Sequence, residues 1–165
     1  MWLNLAKISP ELLVDVRARP DLLAAVFFGD DSELDGPAVD GGDHPLLAKL
    51  DPDDDIFGTD YRTLCAVAEA YAAVAGGSAD VEDGESWLSK ATHGAGELLD
   101  YEFCYGAAFV LDPVEVSAVA AGLAAEGWVE DDEDTLGAAF DDDENLGRFY
   151  AAATREGKAV VGGIS

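Results

Sequence analysis

Of 165 residues, 35 are acidic and nine basic, so the chain carries a formal charge of -26. Such a field repels nucleic acid and favours cations or basic partners. A hydrophobic fraction of 49%, with three Trp, five Tyr and seven Phe, excludes a disordered acidic chain, and the length fits one domain whose core needs neither metal nor disulfide.

Residues 2–8 form a short, loosely alternating apolar segment and predict an opening strand that ends at Ser9-Pro10. Ser9 as N-cap and Pro10 at the first helical position start a helix that runs toward Pro20, with Leu12, Leu13 and Val16 on its inner face. A second short helix is predicted from Pro20 to Phe28, with Leu22, Leu23, Val26 and Phe27 inward and Gly29 as its stop. Residues 30–60 are rich in Asp, Gly and Pro around an apolar island at Leu46, Leu47 and Leu50. They read as a long acidic connection holding one or two helical turns. Leu64, Val67, Ala68, Tyr71 and Ala75 recur at helical spacing and predict a helix from Asp60 to Ala75, ended by Gly76-Gly77. A shorter helix covers Glu85 to Ala91, carrying Trp87 and Leu88 inward.

Phe103 to Leu111 is an aromatic and apolar run, interrupted only by Gly106, that predicts a buried strand. Asp112 at the N-cap, Pro113 at N1 and Glu115 at N3 make a variant capping box. The helix it opens turns Val116, Val119, Ala120 and Leu123 inward and ends near Gly127. Residues 130–144 read as an acidic loop leading into a last helix from about Asp141 to Glu156, with Leu146, Phe149, Tyr150 and Ala153 inward. Its acids come first and Arg148 and Arg155 later, as the helix dipole favours. Gly157 breaks that helix and residues 159–164 predict a terminal strand. Three strands among more numerous helices imply an α+β fold, with helices packed against a small mixed sheet in a single domain over 1–165.

The first residues lack a basic leader followed by a long apolar core, no apolar run is long enough to cross a bilayer, and no polybasic anchor is present. A soluble cytoplasmic protein is expected. Cys65 and Cys104 are far apart and belong to no CxxC set, so buried reduced thiols are expected.

Two stretches carry a family pattern. One is Ile8-Ser9-Pro10-Glu11-Leu12-Leu13 followed by Arg19-Pro20-Asp21-Leu22-Leu23. The other runs from Trp87-Leu88-Ser89-Lys90-Ala91 through Gly94 and Gly96 to Tyr105-Gly106-Ala107-Ala108 and Leu111-Asp112-Pro113-Val114-Glu115-Val116. Together with Arg148-Phe149-Tyr150-Ala151-Ala152-Ala153 and Gly157-Lys158-Ala159-Val160-Val161, their order resembles the bacterial YfbM-like family, the domain of unknown function numbered 1877. The middle departs from that family. Its Trp and His before a Leu-Thr-Gly turn are replaced by the helix Tyr61-Arg62-Thr63-Leu64-Cys65-Ala66-Val67, and its Tyr-Pro segment before the last helix by acidic residues. The resemblance implies a fold and, the family having no established activity, no chemistry.

Each residue constellation that suggests chemistry has a plainer reading beside it. Asp51-Pro52-Asp53-Asp54-Asp55 spaces carboxylates as a calcium loop does, but Ile56 and Arg62 stand where an EF-hand needs Gly and Glu, so a solvated acidic loop is the simpler account. His44 precedes Pro45 and reads as a surface residue. His93, in a glycine-flanked loop, makes a candidate site with Glu97 or Cys104 if a base and a nucleophile come within hydrogen-bond reach. Gly94-Ala95-Gly96 is a weak phosphate-turn signal that Glu97 and Asp100 oppose. Trp87, Tyr101, Phe103, Tyr105 and Phe109 are expected in the core, whereas Trp128 borders an acidic run.

The sequence thus offers no catalytic residue set, no cofactor motif and no complete metal-ligand set. It favours a non-enzymatic domain that binds a basic protein, as an inhibitor or immunity partner does, and neither nucleic acid nor membrane. The acidic partner surface is assigned to Glu130, Asp131, Asp132, Glu133 and Asp134 with Asp141, Asp142, Asp143 and Glu144, and Trp128 would either be its anchor or cap the core. Two alternatives remain. One is a carboxylate-lined cleft holding a small ligand or divalent metal, as a binding module or an enzyme. The other is adaptation to high salt, in which the charge has no binding role.

Overall fold

The computed structural model describes residues 1–29, 44–75, 85–129, 135–140 and 145–165. Their strands are β1 (Trp2–Ile8), β2 (Ile56–Asp60), β3 (Glu97–Phe103), β4 (Gly106–Leu111) and β5 (Ala159–Ile164), in one sheet of order β2-β1-β5-β4-β3. All four pairings are antiparallel, so the sheet expected as mixed is of one kind. The helices are α1 (Pro10–Ala18), α2 (Leu22–Phe28), α3 (Pro52–Asp55), α4 (Tyr61–Ala75), α5 (Trp87–His93), α6 (Pro113–Ala125) and α7 (Leu146–Glu156). The fold is α+β.

Directly paired residues of antiparallel strands share a face, so the register sorts the sheet into two cores. Leu5 pairs with Gly162 and Phe57, Gly162 with Phe109, and Leu3 with Ile164. That face buries Leu3, Leu5, Phe109, Leu111, Val160 and Ile164 against Leu64 of α4, Leu88 of α5, Leu123 of α6 and Tyr150 of α7. On the other face Ala6, Ile8, Val110 and Val161 pack against Leu12, Leu13 and Val16 of α1 and Leu22 and Leu23 of α2. The sheet is therefore the middle of three layers, and the last strand, β5, lies in its centre with all six residues buried. Its neighbours approach closely there: a Cβ on Gly162 would stand 2.4 Å from Leu5 Cδ2 and 2.6 Å from the Asn4 carbonyl.

Local signals place the helix ends. Ser9 Oγ accepts from the Leu12 N–H at 3.1 Å, and Pro10 opens α1. Asp112 and Glu115 complete the capping box reciprocally: Asp112 Oδ1 accepts from Glu115 N at 2.9 Å, and Glu115 Oε2 accepts from Asp112 N at 2.9 Å. Gly157, at φ 64°, takes the left-handed conformation that ends α7.

Five elements differ from the sequence expectation. The strand expected over Phe103–Leu111 is the second half of a hairpin: Phe103 ends β3, Cys104 and Tyr105 form the turn, and Gly106 begins β4. β3 alternates Leu99 and Phe103 inward with Asp100 and Glu102 outward, an edge-strand pattern that an acidic composition hides. β2 occupies part of the connection expected to be irregular, while the 3-10 turn at Leu47–Lys49 and the one-turn helix α3 are the helical turns expected there. α5 starts at Trp87, because Ser86 Oγ caps Ser89 N at 3.0 Å, and extends to His93. α7 starts at Leu146, capped by Asn145, so its first turn carries no acid. Asp141–Glu144 lie outside the described residues.

Candidate functional site

Among the described residues, a dense group of ionisable side chains sits where the ends of β1 and β5 meet α3 and the end of α7. Alternation along β1 puts Lys7 on the same face as Leu3 and Leu5, so its aliphatic stem enters the core layer while Nζ reaches the layer's rim. Only 1% of the Lys7 side chain is exposed. Nζ donates to Asp54 Oδ2 at 3.1 Å and to Glu156 Oε1 at 2.9 Å, with Asp55 Oδ1 at 3.8 Å. A second ammonium, Lys158, pairs with the buried Asp55 and lies 3.0 Å from Glu156 Oε2.

The arrangement follows from chain direction. Asp51 caps α3 by accepting from the Asp53 N–H at 3.1 Å, and the single turn that results swings Asp54 and Asp55 back over β1. Asp55 Oδ2 accepts from the Asp51 N–H at 3.0 Å, which locks the turn to the buried carboxylate. Gly157 reverses the chain so that Glu156 and Lys158 flank the same place. Burial would lower the Lys158 pKa, but hydrogen bonds to Asp55 and Glu156 outweigh it and hold the group above 10.5.

Asp54, Asp55 and Glu156 each place an oxygen within 4.8 Å of the others, a spacing compatible with a metal ion. The two ammonium groups already provide the positive charge a divalent ion would bring, so a metal would have to displace them. The Asp51–Asp55 segment is therefore an ordered helical turn with two lysine-paired carboxylates, solvent-exposed as expected except at the buried Asp55.

Beside this cluster opens a cleft of about 510 Å³. Pro52, Asp53 and Asp54 of α3 form one side, Phe57 and Gly58 of β2 the floor edge, and Asn145, Phe149 and Ala152 the α7 side. Phe57 and Phe149 lie 5.2 Å apart between ring centroids. Asn145 is a wall, not a reader: its Oδ1 accepts from Arg148 N at 3.1 Å and its Nδ2 donates to the Gly137 carbonyl at 3.3 Å.

The residues singled out from sequence lie around α5 and the β3–β4 hairpin. His93 ends α5, with Nε2 3.2 Å from Tyr61 Oη and Nδ1 2.8 Å from Thr92 Oγ1. It lines a small cavity of about 170 Å³ with Leu98, Tyr105 and Ile164. Glu97 opens β3 and is held by Arg17, whose Nε and Nη2 donate to its two oxygens at 2.7 and 2.5 Å. That pairing pulls the Glu97 carboxyl below 4.5. Cys104 follows the last residue of β3, an extended strand of seven residues, so Glu97 and Cys104 stand at opposite ends of it, roughly 20 Å apart. Cys104 is exposed in the hairpin turn and Cys65 half-buried on α4, which corrects the expectation of two buried thiols. A turn residue beside an edge strand has no layer to cover it.

Trp128 does not border solvent. It is 2% exposed, one of the largest fully buried side chains, and its ring is 6.2 Å from that of Phe140. The chain after α6 folds under α7, with the Trp128 carbonyl packed against Gly147, so the indole belongs to the core and is no partner anchor. Tyr105, expected in the core, is 62% exposed at the hairpin tip. The rest of the acidic surface assigned from sequence, Glu130–Asp134 and Asp141–Glu144, lies outside the described residues. His44, read as a surface residue, lies 3.2 Å from Asp15. Among the described residues, no helix is long and apolar enough to cross a membrane.

Comparisons with protein-family models, curated proteins and solved structures find no match to this chain. The lysine cluster escaped the sequence reading although it left a trace there. Two of only four lysines sit in strand or strand-end positions among apolar residues, where an unpaired ammonium is not stable.

Proposed function

We propose that this chain is a non-enzymatic acidic domain that binds a basic protein, in the role of an inhibitor or immunity partner. The observation that carries this reading is the use made of the few cations. Lys7, Lys158 and Arg17 are all committed to ion pairs within the fold, in a chain whose nine cations leave a net formal charge of -26. About half of the acids and none of the lysines or arginines fall in residues 30–43, 76–84, 130–134 and 141–144. Concentrated negative charge of this kind steers a basic partner and speeds association. The separation of Glu97 from Cys104 by the length of β3, and the engagement of Glu97 by Arg17, support a binding role over a catalytic one. The YfbM-like resemblance belongs to the same reading, and a family member with an antiparallel β2-β1-β5-β4-β3 sheet would support it.

Affinity capture followed by calorimetry over a salt series tests the proposal. The expected result is a stoichiometric complex with one basic protein, weakened by rising salt and by neutralising Glu130–Asp134 and Asp141–Glu144 to amides. Failure to capture any basic protein, or binding indifferent to both changes, overturns it. A chain that folds only in high salt and binds nothing would instead indicate that the charge is environmental.

A further inference from the structure

We infer that the outer edge of β3 receives an extended basic segment of the partner as a further antiparallel strand, an inference that rests on the binding role proposed above. β3 ends the sheet order β2-β1-β5-β4-β3, so among the described residues the backbone on its far side has no strand to pair with. An edge of this kind is a template for another strand. Its side chains divide by face. Leu99, Tyr101 and Phe103 pack into the core layer of α1 and α2, and the alternate residues Leu98, Asp100 and Glu102 are exposed on the opposite face.

That face offers an apolar hollow next to two carboxylates. α5 ends at His93, and beyond it Leu98 is 61% exposed and Tyr105, in the hairpin turn, 62%. Both line the cavity of about 170 Å³ together with Ala107, Phe109 and Ile164, and no lysine or arginine lines it. An apolar cavity of about 150 Å³ holds benzene, so this one takes a single aromatic or branched side chain. The carboxylates of Asp100 and Glu102 take no hydrogen bond or ion pair among the described residues. Side chains of an added strand that share a face recur at every second residue, so three of them lie beside Leu98, Asp100 and Glu102. The first enters the hollow, and the other two meet carboxylates, where opposite charges across a strand pair are stabilising. Antiparallel addition, as in the rest of the sheet, fixes the segment as basic-x-basic-x-apolar. Charge complementarity also rejects the other occupants. A second copy would bring acidic edge to acidic edge in a chain of charge -26, and the segments outside the described residues carry acids and no lysine or arginine.

The test is an amide-resolved NMR titration of the full chain with the peptide acetyl-Thr-Arg-Thr-Arg-Thr-Phe-Thr-amide at fixed ionic strength. Its controls are a copy with glutamine for both arginines and two copies N-methylated on one or the other alternate set of residues. Saturating shifts along β3 are expected, with slowed hydrogen exchange of its outward amides. The glutamine copy, and the N-methylated copy whose blocked amides face β3, should each bind at least tenfold more weakly. Asp100→Asn combined with Glu102→Gln should weaken the parent peptide to the same extent, and Ala107→Leu, which fills the hollow, several-fold. Equal binding by all four peptides, or shifts spread over acidic residues with no saturating set on β3, overturns the inference. Outward β3 amides that shift with protein concentration alone would give the edge to a second copy, and outward amides already protected in the free chain would give it to the chain's own segments. Either result also overturns the inference. Because the peptide reads the edge directly, its failure is distinguishable from failure of the binding role. A saturating edge in a protein that captures no basic partner would defeat the proposed function alone.

Discussion

Lys7 Nζ donates a 2.9 Å hydrogen bond to Glu156 across 149 positions of sequence, with 1% of the lysine side chain exposed. The contact fastens α7 to the first strand at the point where the chain turns into the central strand β5, and it places a buried charge at the margin of the apolar layer.

Removing single members of this cluster should separate its parts. Asp55 is nearly fully buried and serves both lysines and the Asp51 N–H, so Asp55→Ala should destabilise the fold by about 3 kcal/mol or more. Lys7→Met should change stability by no more than about 1 kcal/mol, since Asp54 and Glu156 can turn to water while Asp55 keeps Lys158. Denaturant unfolding of both variants checks this, and the opposite ranking would show that Lys7 organises the cluster.

The Arg17–Glu97 pair predicts a pH dependence with a definite sign. Glu97 is held below 4.5 by hydrogen bonds from Arg17, so its contribution is complete above the ordinary carboxylate range and lost as pH falls through the lowered folded value. The stability difference between the parent and Glu97→Gln should therefore be present at neutral pH and vanish in acid. NMR titration of Glu97 in an Arg17→Gln variant should return the carboxyl to its ordinary range. Both side chains are more than a third exposed, so added salt should shrink the effect.

Gly122 lies in α6 beneath the Trp87 indole, where a Cβ would stand 1.9 Å from the ring carbon Cδ2. Alanine is the better helix former by about 1 kcal/mol, yet Gly122→Ala should destabilise by about 1–3 kcal/mol because the ring must move. Tryptophan emission should shift to the red in the same variant. Trp87→Ala should relieve the clash, leaving the double variant more stable than the sum of the two single changes requires.

Tyr150 is fully buried and its hydroxyl donates to the Ala91 carbonyl at 2.6 Å. Tyr150→Phe leaves that carbonyl without its donor and should cost about 1–2 kcal/mol. Burial also pushes the Tyr150 hydroxyl far above 10.0, so the folded state should lose stability as pH rises past the ordinary tyrosine value. An alkaline absorbance titration should show Tyr150 ionising together with unfolding and not before it.

Helix starts were legible wherever a short-range hydrogen bond decides them. Ser9, Asp112 and Ser86 each sit three residues before the N–H they cap, and two of those three starts were read directly. The inner faces of α1, α6 and α7 were legible for a similar reason, since periodicity records which side meets the sheet. The two edge strands were not. β2 spans only five residues and follows an Asp run, and β3 carries a register shift between Leu98 and Glu102 and an acidic composition that masks its alternation, so neither stands out in the sequence. The candidate site was hidden more deeply. Carboxylates at Asp54 and Asp55 gave a calcium-like spacing, but nothing within a few residues of them names Lys7 or Lys158 as their partners.

Taken alone, the sequence determined the α+β class, most helix limits, the residues of the core and the negative field, because each depends on neighbours within about one or two turns or on composition alone. Only the tertiary structure decided that β5 enters the sheet between β1 and β4, that Trp128 is interior, and that Lys7, Asp54, Asp55, Glu156 and Lys158 converge beside a cleft. Those facts depend on contacts between distant segments, whose loop-closure entropy is repaid only by the whole packed core and leaves no local pattern to read.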